Sequence, residues 1–298
     1  MEINQNTNGL VTVLINYLDK LMKNTIKQYI SKRMTKINIL SLLTLMSVAV
    51  SAQSIPNPDL ELYTTCPTQQ SRFINNVQSW MSSLGGLAGT PDYFNNCGAF
   101  NLSSYSTPIL PQSGNAFAGV YAEFNNSFTD YKEYFTTQFS TPLVSGITYS
   151  FSFYTNHLYG AAPSSFTPAG VILTDLPAAE QGYLGLVFSA AVPAATDTGN
   201  GGGGFPRYNS IRNDFGIGRA LIPNTNTSAY GTASRNNWVQ VTLNYTAVGG
   251  EQYMTVGQFR PGGTSLAASN GAYYLFDNFS VTTVSATCNA GISAPVLQ

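Results

Sequence analysis

Few residues in this sequence could carry chemistry. His157 is the only histidine among 298 residues, so any Ser-His-Asp or Cys-His relay would have to run through it. No Gly-x-Ser-x-Gly elbow accompanies it, and its neighbours Asn156 and Leu158 suit a strand end or loop. A nucleophile triad is not expected. Two-carboxylate glycoside hydrolysis needs no histidine. Its candidates, Glu61, Glu123, Glu133, Glu180 and Glu251, are scattered and lack the Glu-x-Asp-x-x-Glu strand pattern of sandwich glycosidases. For Glu133 and Glu251 a hydrogen bond to a turn is the simpler expectation. The run from Gly199 to Gly204 formally satisfies Gly-x-Gly-x-x-Gly, but that fingerprint belongs between a strand and a helix, and Pro206 follows here. It reads as a flexible loop.

Aromatic rings are the richer resource, with 18 tyrosines and 17 phenylalanines. Sugar-binding clefts use such rings because their faces stack on the apolar faces of pyranoses while amides and hydroxyls fix the sugar oxygens. Tyr154, Tyr159, Tyr208 and Tyr230 fall in loops or outward strand positions, with Asn156 and His157 close by in sequence. Tyr154, His157, Tyr159, Tyr208 and Tyr230 are the candidate ligand-binding set, and for each one ordinary packing is the competing reading. Trp238 opens a strand and reads as core; Trp80, before a Gly-rich loop, stays open.

The compartment follows from the leader and the cysteines. Met34-Thr35-Lys36 is a short basic start, residues 37–50 are an apolar run, and Val50-Ser51-Ala52 supplies small residues for cleavage, so 34–52 reads as a signal peptide with Gln53 as the mature start. The run is too short for a membrane span, which takes about 20 residues. Residues 1–33, with five Lys/Arg upstream of that signal, read as a non-native extension. Past the leader there are seven basic and twelve acidic residues, a net charge near −5, and one lysine, Lys132. So few cations cannot neutralise a row of phosphates, which argues against nucleic acid and anionic membranes as partners. Export favours oxidised thiols. Three cysteines allow one bridge, expected between Cys66 and Cys97, each beside a turn residue, with Cys288 in the tail as the free thiol or the partner of a segment not in this sequence. Zinc is disfavoured because no Cys-x-x-Cys or Cys/His cluster exists.

The elements that must position these residues repeat every two residues. Tyr149, Phe151 and Phe153 alternate with Ser150, Ser152 and Tyr154, and Val239, Val241, Leu243 and Tyr245 alternate with Gln240, Thr242 and Asn244. Leu275, Phe279 and Val281 form a third set, and Asp277 shares their parity. Its carboxylate is therefore expected to point toward the core, where an unpaired charge costs several kcal/mol and calls for compensation. Loops are expected at 82–90, 160–170, 193–206 and 223–237. The fold class is all-β, one domain over 55–285 with a tail at 286–298.

Asn57-Pro58-Asp59-Leu60-Glu61, Pro142-Leu143-x-x-Gly146-x-x-Tyr149-x-Phe151-x-Phe153, Trp238-x-x-Val241 and Asp277-Asn278-Phe279-Ser280-Val281 stand in an order that resembles jelly-roll carbohydrate-binding modules of the galactose-binding-like fold. Thr90-Pro91-Asp92-Tyr93-Phe94-Asn95-x-Cys97, Glu133-Tyr134 and the stretch from Gly249 to Gly257 with Phe259 look like the N-terminal region of secreted surface proteins of Bacteroidota, which often end in a type IX sorting domain or an OmpA-like domain. No sorting domain follows Val284 here, so a short or truncated member is expected. The resemblance covers about 57–284. It implies a jelly-roll-like β-sandwich of two antiparallel sheets with first and last strands adjacent, and a secreted or outer-surface location. It also implies a structural calcium held by Glu61 and Asp277; the competing reading of Asp277 is a strand-end acceptor of hydrogen bonds from a turn. The leading expectation is a non-catalytic module that binds a polysaccharide or surface glycan. An adhesion or structural protein that engages surface proteins through loops 160–170 and 193–206 comes second, and a glycosidase third.

Overall fold

The computed structural model describes residues 16–28, 53–82, 89–103, 105, 108–125, 131–166, 170–193, 218–260 and 266–284. The chain divides into two units, Met1–Ser51 and Ala52–Gln298. In the first, residues 16–28 are helical and no other part is described. The apolar run of the expected signal peptide, Tyr208, Cys288 and most of loop 193–206 lie outside the described residues. Among those described, no helix is long and apolar enough to cross a membrane.

The second unit is a β-sandwich. Its strands are β1 (Trp80–Ser82), β2 (Asp92–Asn95), β3 (Ala116–Phe124), β4 (Phe135–Gln138), β5 (Thr148–Leu158), β6 (Gly160–Ala161), β7 (Ile172–Leu173), β8 (Leu184–Ser189), β9 (Gly218–Leu221), β10 (Trp238–Thr246), β11 (Tyr253–Gln258) and β12 (Asn270–Thr283). One sheet runs β1-β4-β11-β8-β9; the other runs β10-β5-β12-β3-β2, with β7 joined in parallel to β12 and carrying β6. All the remaining pairings are antiparallel. The expected all-β, two-sheet architecture is therefore present. The first and last strands, however, sit in different sheets. What reaches the last strand is the irregular opening segment, through a backbone bond from Phe279 N–H to Pro58 O of 2.8 Å.

Alternation explains the inner face. In β5 Tyr149, Phe151 and Phe153 are buried while Ser150, Ser152 and Tyr154 are only half-buried, and in β10 Val241, Leu243 and Tyr245 are buried while Gln240, Thr242 and Asn244 are exposed. These rings meet Phe135, Phe188, Phe276, Phe279 and Trp80 from both sheets in one apolar core. Trp80 is thus a core residue, and its indole N–H donates to Asn57 O at 2.9 Å.

Two bulges break the alternation. Asp277 faces Tyr154 and Ser280 faces Ser152, so β12 spends three steps where β5 spends two, with Asn278 at φ 53°. Leu275 and Asp277 therefore lie on the outer face, whereas Phe279 and Val281 turn inward. The expectation that these four share a face is corrected: a single extra residue flips everything after it. The second bulge sits between Ala272 and Tyr273, where β3 spends Ala122 as an extra residue and brings Glu123 opposite the core residue Ala272.

The outer face of the larger sheet carries a second apolar cluster. Phe94, Phe117, Tyr121, Leu158, Tyr273 and Leu275 are roofed by Phe100, Leu102, Tyr105, Ile109 and Phe166 from the 96–110 and 160–173 connections. Trp238 packs on this cluster rather than in the inner core and donates to Leu110 O at 2.8 Å.

Candidate ligand-binding cleft

The roof of the second cluster is held by short-range devices. Cys66 and Cys97 are bridged across Cα atoms 5.6 Å apart, tying the segment before the first strand to the end of β2. Asn95 Oδ1 accepts from Cys97 N–H at 2.8 Å, and Phe100 N–H reaches Pro67 O at 3.2 Å. At Gly98 a Cβ would fall on Pro67 O, so only glycine lets the two segments lie this close. Asn101 forms a local turn, its Oδ1 accepting from Ser103 N–H at 3.1 Å, and Tyr105 and Ile109 N–H both bond Leu102 O. Phe94, Phe100 and Phe117 stack with centroids 4.7 and 4.9 Å apart, and Phe166 closes over them from the other connection.

Between these two connections opens a cleft of about 300 Å³ lined by Ala99, Asn101, Leu102, Tyr105 and the run from Ala161 to Ser165. Leu102 and Tyr105 in its lining are buried, and Asn101, Ser164 and Ser165 supply amide and hydroxyl groups. Among its described lining residues there is no carboxylate, histidine, cysteine or lysine. Tyr159, 39 % exposed, is not part of that lining; its backbone carbonyl accepts from Tyr105 OH at 3.2 Å, while its ring lies 6.2 Å from that of His157. Asn236 braces Tyr159 by accepting from its N–H at 3.0 Å and donating to its C=O at 3.2 Å. Arg235 lies 4.0 Å over the Tyr159 ring and forks onto Asp175, Nε to Oδ1 at 2.9 Å with a second bond from the terminal nitrogen to Oδ2. That pair holds the Asp175 carboxyl below its usual range.

The expected ring set does not converge here. His157 is fully buried on the inner face, stacked on Tyr274 at 4.8 Å, its Nε2 2.9 Å from Thr174 O. Burial pushes its pKa down to about 4, so it is neutral and Nε2–H is the donor. Tyr230 is 5 % exposed; its hydroxyl donates to Ile222 O and accepts from Gly182 N–H. Neither ring is open to a ligand, which corrects both expectations: parity and loop position said nothing of the elements that cover them. Tyr154 is half-buried on the outer sheet face, between Gln240 and Asp277. Of the set, Tyr159 alone bonds a lining residue of the cleft, through its backbone carbonyl and Tyr105 OH. The lining residues Asn101, Tyr105, Ser164 and Ser165 escaped sequence reasoning because nothing local links loop 99–105 to loop 161–165.

Glu61 and Asp277 do approach one loop. Glu61 Oε1 accepts from Asn115 and Ala116 N–H at 2.6 and 2.8 Å, and Asp277 Oδ2 from Gln112 and Ser113 N–H at 2.9 and 3.0 Å. These are the bonds of a turn-anchoring pair and need no cation. Asp277 Oδ1, however, is buried without a hydrogen-bond partner, the one feature of the site that suits a hard cation. Burial pushes the Asp277 pKa up to about 7, with backbone bonds pulling the other way and the Glu61 charge adding a little. Among the described residues no three His, Cys, Asp or Glu side chains gather as a metal cluster.

Three other carboxylates are likewise held by hydrogen bonds within the fold. Glu251 caps the β10–β11 turn by accepting from Val248 and Gly249 N–H, each at 2.8 Å. Glu133 accepts from Tyr121 N–H at 2.8 Å and Tyr131 OH at 2.9 Å. Asp92 accepts from Ser71 N–H at 2.6 Å and Tyr273 OH at 2.5 Å, the phenol filling the space that a side chain at Gly119 would need. Burial first, then the Glu133 charge, pushes Asp92 up to about 8.

No protein-family model and no curated protein matches this chain. Among solved structures it is similar to a cleaved adhesin domain of the Lys-gingipain of Porphyromonas gingivalis, 15 % identical over 74 % of this chain and 100 % of that one, TM-score 0.31. It is also similar to a CBM4 module, 12 % identical over 78 % of this chain and 100 % of that one, TM-score 0.31. A third is a CBM22 xylan-binding domain from Paenibacillus barcinonensis, 13 % identical over 70 % and 88 %, TM-score 0.29. These likenesses are too distant to carry a function across.

Proposed function

We propose that the sandwich is a non-catalytic, exported glycan-binding module whose ligand lies in the cleft between loops 99–105 and 161–165 against Tyr159. The observation that carries this reading is the cleft itself, where the amide of Asn101 and the hydroxyls of Ser164 and Ser165 surround buried Leu102 and Tyr105, the latter bonded to the carbonyl of part-exposed Tyr159. Uncharged hydroxyl-rich ligands match such a surface, whereas phosphates and acidic polymers would need cations that the lining does not offer.

Calcium enters the same reading as a structural ion held by Glu61 and Asp277, rigidifying the loop at 112–116. The test is a glycan array on the chain with calcium and again with chelator, followed by titration of any hit against Tyr159→Ala. Selective binding that falls at least about tenfold in the variant, a loss of ~1.4 kcal/mol, supports the cleft. Binding unchanged by the variant moves the site elsewhere, with Tyr154 on the outer sheet face next in line. Silence on the array under both conditions favours adhesion to surface proteins. A melting temperature unmoved by chelation removes the calcium.

A further inference from the structure

The bridge between Cys66 and Cys97 is a surface feature. Neither cysteine belongs to the inner core or to the roofed outer cluster. Cys97 is exposed and Cys66 half-buried, and Thr65, Thr68, Asn96 and Ala99 around them are exposed as well. Disulfides open to solvent in this way are the ones that exchange readily with thiols, because an attacking thiolate reaches a sulfur without unfolding the chain.

What the bridge holds is one wall of the cleft. Cys97 stands just past β2, and Ala99, Asn101, Leu102 and Tyr105 of the lining follow it. Along the bridge, Pro67 O accepts from Phe100 N–H at 3.2 Å, and a Cβ at Gly98 would lie 2.1 Å from the same oxygen. Segments 66–67 and 97–100 are therefore pressed together where the wall begins. The opposite wall, 161–165, belongs to the other connection and joins the first through Tyr105 OH and Tyr159 O. The pairings of β5 with β10 and β12, which fix the inner core, lie in other segments of the chain.

We propose that the Cys66–Cys97 bridge is a thiol-operated catch on the 97–105 wall of the cleft, closed in an oxidising medium and released by a dithiol. Its consequence for a ligand rests on the reading of that cleft as the binding site. A thiolate of the reductant attacks Cys97 Sγ, on the more open of the two residues. The S–S bond breaks with its electron pair on Cys66 Sγ, which takes up a proton. The second thiol of the reductant then displaces Cys97 from the mixed disulfide. Two electrons and two protons pass to the pair, and the reductant leaves as its own disulfide. Without the bridge the wall regains freedom that the closed loop denies it, so a ligand must order residues 97–105 before it can bind, and affinity falls. The sheets keep their hydrogen bonds, so the response stays local.

The experiment uses the chain with Cys288→Ser, so that the bridge supplies the only thiols, in dithiothreitol without denaturant, read by thiol labelling and hydrogen exchange. Both cysteines should take label, and exchange across 97–105 should quicken at least about tenfold while 149–153 and 241–245 stay protected. Reoxidation should restore slow exchange, and Cys66→Ser combined with Cys97→Ser should match the reduced protein. A bridge that resists dithiothreitol until denaturant unfolds the sheets would overturn the proposal. Label uptake with exchange at 97–105 unchanged would overturn it too. A glycan found on the array is then titrated against both forms, with binding to the reduced form expected to be about tenfold weaker; equal affinity sinks the catch. Quickened exchange at 97–105 with a silent array supports the catch and removes the glycan reading, so the two failures are told apart.

Discussion

The two apolar clusters of the sandwich lie on opposite faces of the same strands and are built in different ways. The inner core takes alternate residues from both sheets, so Phe135, Phe151, Phe153 and Phe276 are fixed by strand register and each ring is over-determined by several pairings. The outer cluster takes its floor from β2, β3 and β12 and its roof from loops, so Phe100, Tyr105 and Phe166 depend on a disulfide, an asparagine turn and a few backbone bonds. One face is a closed core and the other is a cluster roofed by loops beside a cleft. The loops of that roof can change sequence while the core stays as it is.

Core truncation should separate the two most sharply. Phe135→Ala is expected to cost about 3–5 kcal/mol, lowering the denaturant midpoint for the whole domain. Phe166→Ala is expected at the low end, about 3 kcal/mol, because a loop can settle into the space. Hydrogen exchange should then quicken across 96–110 while β5 and β10 stay protected. Equal loss of protection in both regions would mean the two clusters unfold as one, and the distinction would fall. Glu251→Ala leaves two turn N–H groups and the Tyr245 hydroxyl without their acceptor and should cost about 1–3 kcal/mol, read from the urea midpoint.

The pH dependence probes the outer face through its buried acids. Asp92 and Asp277 rise from 3.8 in the unfolded chain to about 8 and about 7 in the fold. The fold thus holds more protons between those values, and their contribution to stability is full below 3.8 and declines as pH climbs toward 8. His157 works the other way. Its folded pKa of about 4 lies below 6.5, so its contribution is full above 6.5 and is lost as pH falls toward 4. Melting curves from pH 4 to 9 should show the alkaline decline shallower in Asp92→Asn and unchanged in Glu251→Ala. The smallest effect on stability is expected from Tyr159→Ala, within about 0.5 kcal/mol, against a clear loss of ligand binding.

The closed core was the legible part. Period-two patterns at 149–154 and 239–245 located β5 and β10 and their buried faces, because a pleated strand with one dry side leaves no other choice of residues. The turn role of Glu251 was also within reach, as was the pairing of Cys66 with Cys97, whereas Glu133 bonds Tyr121 N–H within β3 rather than a turn. What failed was whatever depended on a single inserted residue or on two distant loops meeting. The bulge at Asn278 put Asp277 on the far side from Phe279, though its burial was anticipated. His157 and Tyr230 looked available because the elements that cover them are non-local: His157 stacks on Tyr274 of β12, and the Tyr230 hydroxyl bonds Ile222 and Gly182. The cleft needed loops 99–105 and 161–165 to be adjacent, which no local pattern announces.

The inward turn of the charged groups reaches beyond the fold. Of the charged residues described between 53 and 284, only Arg219 is exposed; the others are buried or half-buried. Among the described residues the exposed polar groups are therefore mostly hydroxyls and amides. With so few exposed charges among the described residues, the net charge near −5 past the leader shares the task of solubility with the water bound to those groups. Sulfate and phosphate salts, which compete for that water, should precipitate the protein at low concentration, while sodium chloride at moderate ionic strength should leave its dispersion unchanged.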